Sequence, residues 1–121
     1  MSRALVIKVT VGEDQPERCN QAFTMAATAV ASGVDVSLWL AGEASWFALP
    51  GRAAKFEPLP HAAPLSDLLD GVLAGGRVTL CGQCAARREL TEDDLIDGVR
   101  IAGAPSFVEE VTADDAQALV Y

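Results

Sequence analysis

Apolar residues follow two rhythms along this chain, and their alternation predicts its architecture. Ala4 to Val9 is a short, β-branched run of the kind that forms a buried strand. Glu13 to Gln15 is polar, and Pro16 suits a first helical turn. Cys19, Phe23, Ala26, Ala27 and Val30 then recur at spacings of three and four, which is one apolar face of a helix, and Gly33 ends it. Val34 to Leu40 predicts the second strand. Ala41 to Leu49, with Trp46 and Phe47, predicts a short helix or turn, and Pro50, Gly51 and Pro58 to Pro64 mark an irregular stretch. Ser66 is placed to cap a helix through Leu68, Leu69, Val72 and Leu73 that Gly75-Gly76 stops. Arg77 to Cys81 predicts the third strand and Gly82 to Arg88 a short helix starting directly from it. The acidic run Thr91-Glu92-Asp93-Asp94 opens a further helix, its charges suited to the helix dipole. A strand over Val99 to Ile101, a helix over Pro105 to Val111 and a last strand over Ala118 to Tyr121 complete the pattern.

Strands joined by helical crossovers imply an α/β fold: an open, mostly parallel sheet of about five strands with helices on both faces. The length of 121 residues predicts one domain, residues 1–121, and a composition that is 50% hydrophobic supplies its core. Ligands of such sheets gather at the carboxyl ends of the strands. The formal charge of −8 argues against nucleic acid and anionic membranes as partners. The start shows no signal-peptide pattern, no run is long enough to span a bilayer, and three cysteines is an odd number; together these predict a cytoplasmic protein with reduced thiols.

Candidate chemistry concentrates in Thr79-Leu80-Cys81-Gly82-Gln83-Cys84-Ala85-Ala86-Arg87-Arg88. A thiol at a strand end, facing the first turn of a helix, is favoured as thiolate by the N–H groups there. Arg87 and Arg88 add positive charge one or two turns on, and Gly82 leaves room beside the sulfur for a second one. Cys84 makes a Cys-x-x-Cys, readable as a redox pair or as a helix core position beside two alanines. Cys81 itself can be read as a buried small hydrophobe ending a strand. A closed zinc site would need four ligands, and only Cys19, on the apolar helix face, and His61, in the Pro-rich loop, remain to supply them, so no metal or other cofactor is expected. His61 is readable as a base for the thiol or as a solvated loop residue. Trp46 with Phe47 is readable as a subunit interface or as core, and Trp39 flanks the same strand end. Gly12-Glu13-Asp14 after the first strand has one glycine and two acids, which is no phosphate cradle.

Four segments resemble the DsrE/DsrF-like family of small sulfur-relay proteins (DsrEFH, TusD and YchN-like members). They are the opening strand Ala4 to Val9 with the helix from Pro16 to Ala26, the stretch Gly33 to Leu40, Cys81 with arginines six and seven positions later, and the ending Ala116 to Tyr121. The resemblance implies a flavodoxin-like three-layer sandwich assembled as a trimer or hexamer. It also implies that Cys81 takes sulfur as a persulfide from a donor protein and passes it to an acceptor, with Gly82, Cys84, Arg87 and Arg88 in secondary positions. Glu89 stands where family members often have glycine, and Cys84 is a thiol that the simplest relay members lack. Three functions follow: a sulfur carrier acting as a sulfurtransferase through Cys81, a thiol–disulfide protein using Cys81 and Cys84, and an oligomeric binding module without catalysis.

Overall fold

The computed structural model describes residues 3–121. Five strands form one sheet: β1 (Ala4–Val9), β2 (Asp35–Leu40), β3 (Arg77–Cys81), β4 (Arg100–Ala102) and β5 (Ala116–Val120). Their order is β4-β3-β2-β1-β5, and every neighbouring pair is parallel, so the sheet is wholly rather than mostly parallel. Four α-helices connect them: α1 (Pro16–Ala31), α2 (Leu65–Gly75), α3 (Gly82–Arg87) and α4 (Ala104–Val111). From β1 through α1 and α2 to β3 the chain moves steadily toward one edge, which sets α1 and α2 together on one face. From β4 it crosses the whole sheet to pair β5 with β1, and this reversal places α4 on the opposite face.

The two faces differ chemically because side chains alternate along each strand. Toward α1 and α2 point Ile7, Val9, Val36, Leu38, Leu40, Val78 and Leu80. They form one cluster with Cys19, Ala22, Phe23 and Ala26 of α1, Leu69 and Val72 of α2, and Phe47. Phe23, Phe47 and Phe56 meet edge to face at centroid separations of 5.9 and 5.6 Å. Phe47 is therefore core, which removes it from the interface reading, whereas Trp46 stays at the surface between the Arg52 and Arg88 guanidinium groups, 5.2 and 5.7 Å from its ring.

Local signals held at most boundaries. Gly33, with φ of +85°, donates to the Val30 carbonyl while Val34 donates to that of Ala29, the paired bonds of a Schellman stop to α1. Ser66 does not cap α2: the helix starts one residue earlier, and the Pro64 carbonyl accepts from Asp67 and Leu68. The acidic segment is a single 3₁₀ turn, Glu92–Asp94, closed by a capping box between Thr91 and Asp94. It cannot extend into a helix because Leu95 turns into the core and the Ile96 N–H is taken by the Ala48 carbonyl at 2.9 Å. Gly42–Ala48, within the stretch expected as helix or turn, is also 3₁₀. β4 lies one residue later than expected, and β5 begins at Ala116 rather than Ala118. No helix among the described residues is long and apolar enough to cross a membrane.

Candidate functional site

The face under α4 carries one cross-strand row of side chains. The register aligns Val120 of β5 with Lys8 of β1, Lys8 with Trp39 of β2, Trp39 with Thr79 of β3, and Thr79 with Arg100 of β4. Cys81 lies two residues beyond Thr79, on the same face, at the carboxyl end of β3. Helix α4 lies over this row with Phe107 and Glu110, three positions apart and hence on one side of the helix, turned to the sheet.

Glu110 anchors the helix. Its carboxylate accepts hydrogen bonds from the Ser37 hydroxyl at 2.5 Å, the Trp39 indole N–H at 3.1 Å and the Arg100 guanidinium at 2.7 Å. Arg100 also donates through Nε to Thr79 Oγ1 at 3.0 Å and lies over the Trp39 ring. Ser37 and Thr79 are fully buried, so this network satisfies groups that would otherwise cost stability. Trp39 meets Phe107 edge to face at 5.3 Å.

Between these anchors and the strand ends is a small pocket of about 130 Å³, lined by Lys8, Trp39, Cys81, Gln83, Gly103, Ala104, Phe107 and Val108. Cys81 occupies the N-cap position of α3 and is partly exposed. Partial burial opposes its ionisation, but the Cys84 N–H, the Cys84 thiol, the Gln83 N–H and the charge of Lys8 together outweigh it, and the pKa falls below the ordinary cysteine value. Cys84 is buried one turn into α3, its Sγ accepting the Gly42 N–H at 3.3 Å. Cys19 is the contrasting thiol. Sealed under α1, it is pushed up to about 12 by burial, then by the charges of Asp14 and Glu13.

Of the residues singled out in the sequence, the fold brings together Cys81, Cys84 and Gly82. A Cβ added at Gly82 would touch the Ala102 carbonyl oxygen at 3.6 Å, an ordinary contact toward β4. The two arginines lie elsewhere. Arg88 pairs with Glu43 at 2.8 Å and donates to the Cys84 carbonyl, and Arg87 is exposed at the end of α3. The cation that acts on the thiol is Lys8, which the sequence reading of Ala4 to Val9 as a buried strand did not single out. Its signal was present: a lone lysine between Ile7 and Val9, inside a strand buried by its neighbours. His61 lies in the loop between Leu59 and Ala62 with φ of +65°, beside Pro16 and Asn20 and outside the thiol pocket. Among the described residues no three His, Cys, Asp or Glu side chains converge to hold a metal.

The sequence pattern of the DsrE/DsrF-like family matches residues 3–117. The chain is 31% identical over 101 residues to the uncharacterized protein MJ0989 of Methanocaldococcus jannaschii, covering 82% of this chain and 83% of that one. It is 30% identical over 112 residues to the uncharacterized protein MK0008 of Methanopyrus kandleri, covering 91% and 89%. Among solved structures it resembles the ychN protein from E. coli, with a TM-score of 0.72 at 20% identity over 98% of this chain and 100% of that one. It also resembles MTH1491 from Methanobacterium thermoautotrophicum, with a TM-score of 0.67 at 11% identity over the whole of both chains. At these identities the two structures share the fold.

Proposed function

The chain belongs to the DsrE/DsrF-like family, and from that premise we propose that Cys81 carries sulfane sulfur as a persulfide between a donor and an acceptor. The observation that carries the reading is the Cys81 sulfur itself. It lines a pocket at a strand end, its pKa is lowered, and the Gln83 and Cys84 N–H groups are directed at it. In the loading step the Cys81 thiolate attacks the terminal sulfur of a donor persulfide. A new S–S bond forms, the donor's S–S bond breaks, and the donor departs as thiolate. In the unloading step an acceptor thiolate attacks the outer sulfur on Cys81, which leaves as thiolate again. Neither step consumes an oxidant or reductant. Cys84 donates to the thiolate, and Arg87, exposed at the end of α3 and outside the pocket, is available to an acidic partner.

The protein acts as a homo-oligomer in this reading. Val108 of α4 is 54% exposed, and Leu119 and Val120 on the edge strand β5 are 41% and 63% exposed. Val108 lines the pocket and Val120 stands in the Lys8 row, while Leu119, aligned with Ile7, lies on the other face of the edge strand; exposed apolar groups of this size are the kind that oligomers cover. Size-exclusion chromatography with light scattering is expected to give a mass above the monomer.

Intact-mass spectrometry tests the carrier. After incubation with glutathione persulfide, the wild type is expected to gain one sulfur atom, and Cys84→Ser to gain it as well, while Cys81→Ser gains none. An adduct that survives in Cys81→Ser, or none in the wild type, would overturn the reading.

A further inference from the structure

Two cations stand in the same cross-strand row, and they are treated differently. Arg100 is paired with Glu110, bonded to Thr79 and laid over Trp39. Lys8 makes no ion pair among the described residues. Its row neighbours are Trp39 and Val120, and its ammonium lies 5.1 Å from the centre of the Phe107 ring. Lys8 is half-buried on the second strand from an edge, with an aromatic wall on two sides and a thiol in the same pocket. Partly desolvating a charge is costly, and a ring face and the neighbouring Cys81 thiolate offset only part of that cost. The cost is recovered when an anion enters.

The dimensions limit that anion. Drug-sized ligands occupy pockets of about 300 Å³ or more, whereas this one measures about 130 Å³. It admits a guest of a few heavy atoms and excludes a nucleotide or a folded partner's loop. Lys8 and Cys81 both line it, so a guest that fills it meets the ammonium and the sulfur in one cavity. The overall charge of −8 repels anions at long range, but that field is screened within about 10 Å at ordinary salt, so the local ammonium decides.

We infer that the pocket beneath α4 is an anion site in which Lys8 holds a small, free sulfane-sulfur donor, of the thiosulfate or inorganic polysulfide class, against Cys81. The inference rests on the persulfide reading above and extends it: loading then needs no donor protein. With thiosulfate, the Cys81 thiolate attacks the outer sulfur. The new S–S bond forms on Cys81, the bond to the sulfonate sulfur breaks, and its electron pair leaves with sulfite. Charge is conserved and no proton or external reductant enters. With polysulfide the leaving group is the chain shortened by one sulfur. Lys8 stabilises the departing anion as well as the bound one.

Charge-selective alkylation tests the site separately from sulfur chemistry. The ratio of the Cys81 alkylation rate by iodoacetate to that by iodoacetamide is measured against the same ratio for N-acetylcysteine. The wild type is expected to favour the anionic reagent by about tenfold, the effect of one nearby charge in a partly screened site. Lys8→Met loses that preference, Lys8→Arg keeps most of it, and raising the salt erodes it in the wild type without any substitution. Thiosulfate and inorganic polysulfide, each used alone, should then add sulfur to the wild type and to Lys8→Arg about tenfold faster than to Lys8→Met. A wild type without anion preference, or one that Lys8→Met and salt leave unchanged, overturns the site. An anion preference without loading from either reagent overturns the donor assignment. Loading of the same protein by glutathione persulfide then shows that the carrier reading survives, and its failure shows that both have fallen.

Discussion

Strand β2 shows both halves of this molecule in six residues. Val36, Leu38 and Leu40 turn to α1 and α2, while Ser37 and Trp39 turn to α4. The first face is closed by two long helices and holds the apolar cluster. The second is covered by one eight-residue helix with no buried residue of its own, tied down by a carboxylate, with Val108 and Val120 exposed there. Each face also holds a thiol, and the settings have opposite effects. Under α1, burial and nearby carboxylates keep Cys19 protonated. Under α4, N–H groups and Lys8 outweigh burial and favour the Cys81 thiolate. One face provides stability and the other leaves polar groups and an opening where chemistry can occur.

The thiols give the largest contrast. With iodoacetamide on the native protein, Cys81 is expected to react roughly 1,000-fold faster than Cys19 or more, since each pKa unit changes the thiolate fraction tenfold. A free cysteine is half ionised near pH 8.5. Because the Cys81 pKa is lowered, its reactivity is expected to persist as pH falls below that point and to decline only as pH passes down through its own lower pKa. Peptide mapping that finds Cys19 labelled before denaturation would erase the distinction between the faces.

Truncation of Phe23, fully buried between α1 and the sheet, is expected to cost about 3–5 kcal/mol in urea denaturation. Glu110→Ala leaves the Ser37, Trp39 and Arg100 donors without their acceptor and is expected to cost less, about 1–3 kcal/mol. The two should part in a second measurement: Glu110→Ala loosens α4 and accelerates Cys81 alkylation, whereas Phe23→Ala, measured where the chain is still folded, leaves that rate near wild type. Equal effects on alkylation would mean that the faces are not independent. The smallest effect belongs to the exposed Arg77–Asp35 pair at 2.8 Å, where Arg77→Ala should change stability by under about 1 kcal/mol.

The better-sealed face was the more legible in the sequence. Cys19, Phe23 and Ala26 recur at helical spacing because α1 buries a single stripe, and Gly33 marks its end because the stop needs a positive φ. β1 and β3 were read to the residue, and β2 to within one, because buried parallel strands are nearly continuous apolar runs. The thiol was legible too, since a cysteine between a strand and a glycine is conspicuous. What surrounds it was not. Lys8, Trp39 and Phe107 come from three different elements, and only the strand register and the return of α4 across the sheet bring them to Cys81. Ser37 and Thr79 are polar residues inside strands, a signal of the network they serve, but their shared partners lie on α4 and β4. The arginines beside Cys81 in sequence drew attention for their nearness along the chain, and the fold turns Arg88 toward Glu43 instead.

The pairing of β1 with β5 also sets an order of events in time. β2 reaches β1 after one helix, but β5 returns only after β4 and α4, and the bond from Thr10 to the Tyr121 carbonyl spans 111 residues. Closing so long a loop carries the largest entropic cost in the sheet, and contacts distant in sequence slow folding. A refolding chain is therefore expected to recover the helical signal of α1 and α2 before α4 is drawn down over Lys8 and Cys81. During that interval the thiol faces solvent without its aromatic wall, and a pulse of alkylating reagent applied then should label Cys81 with no preference for charge.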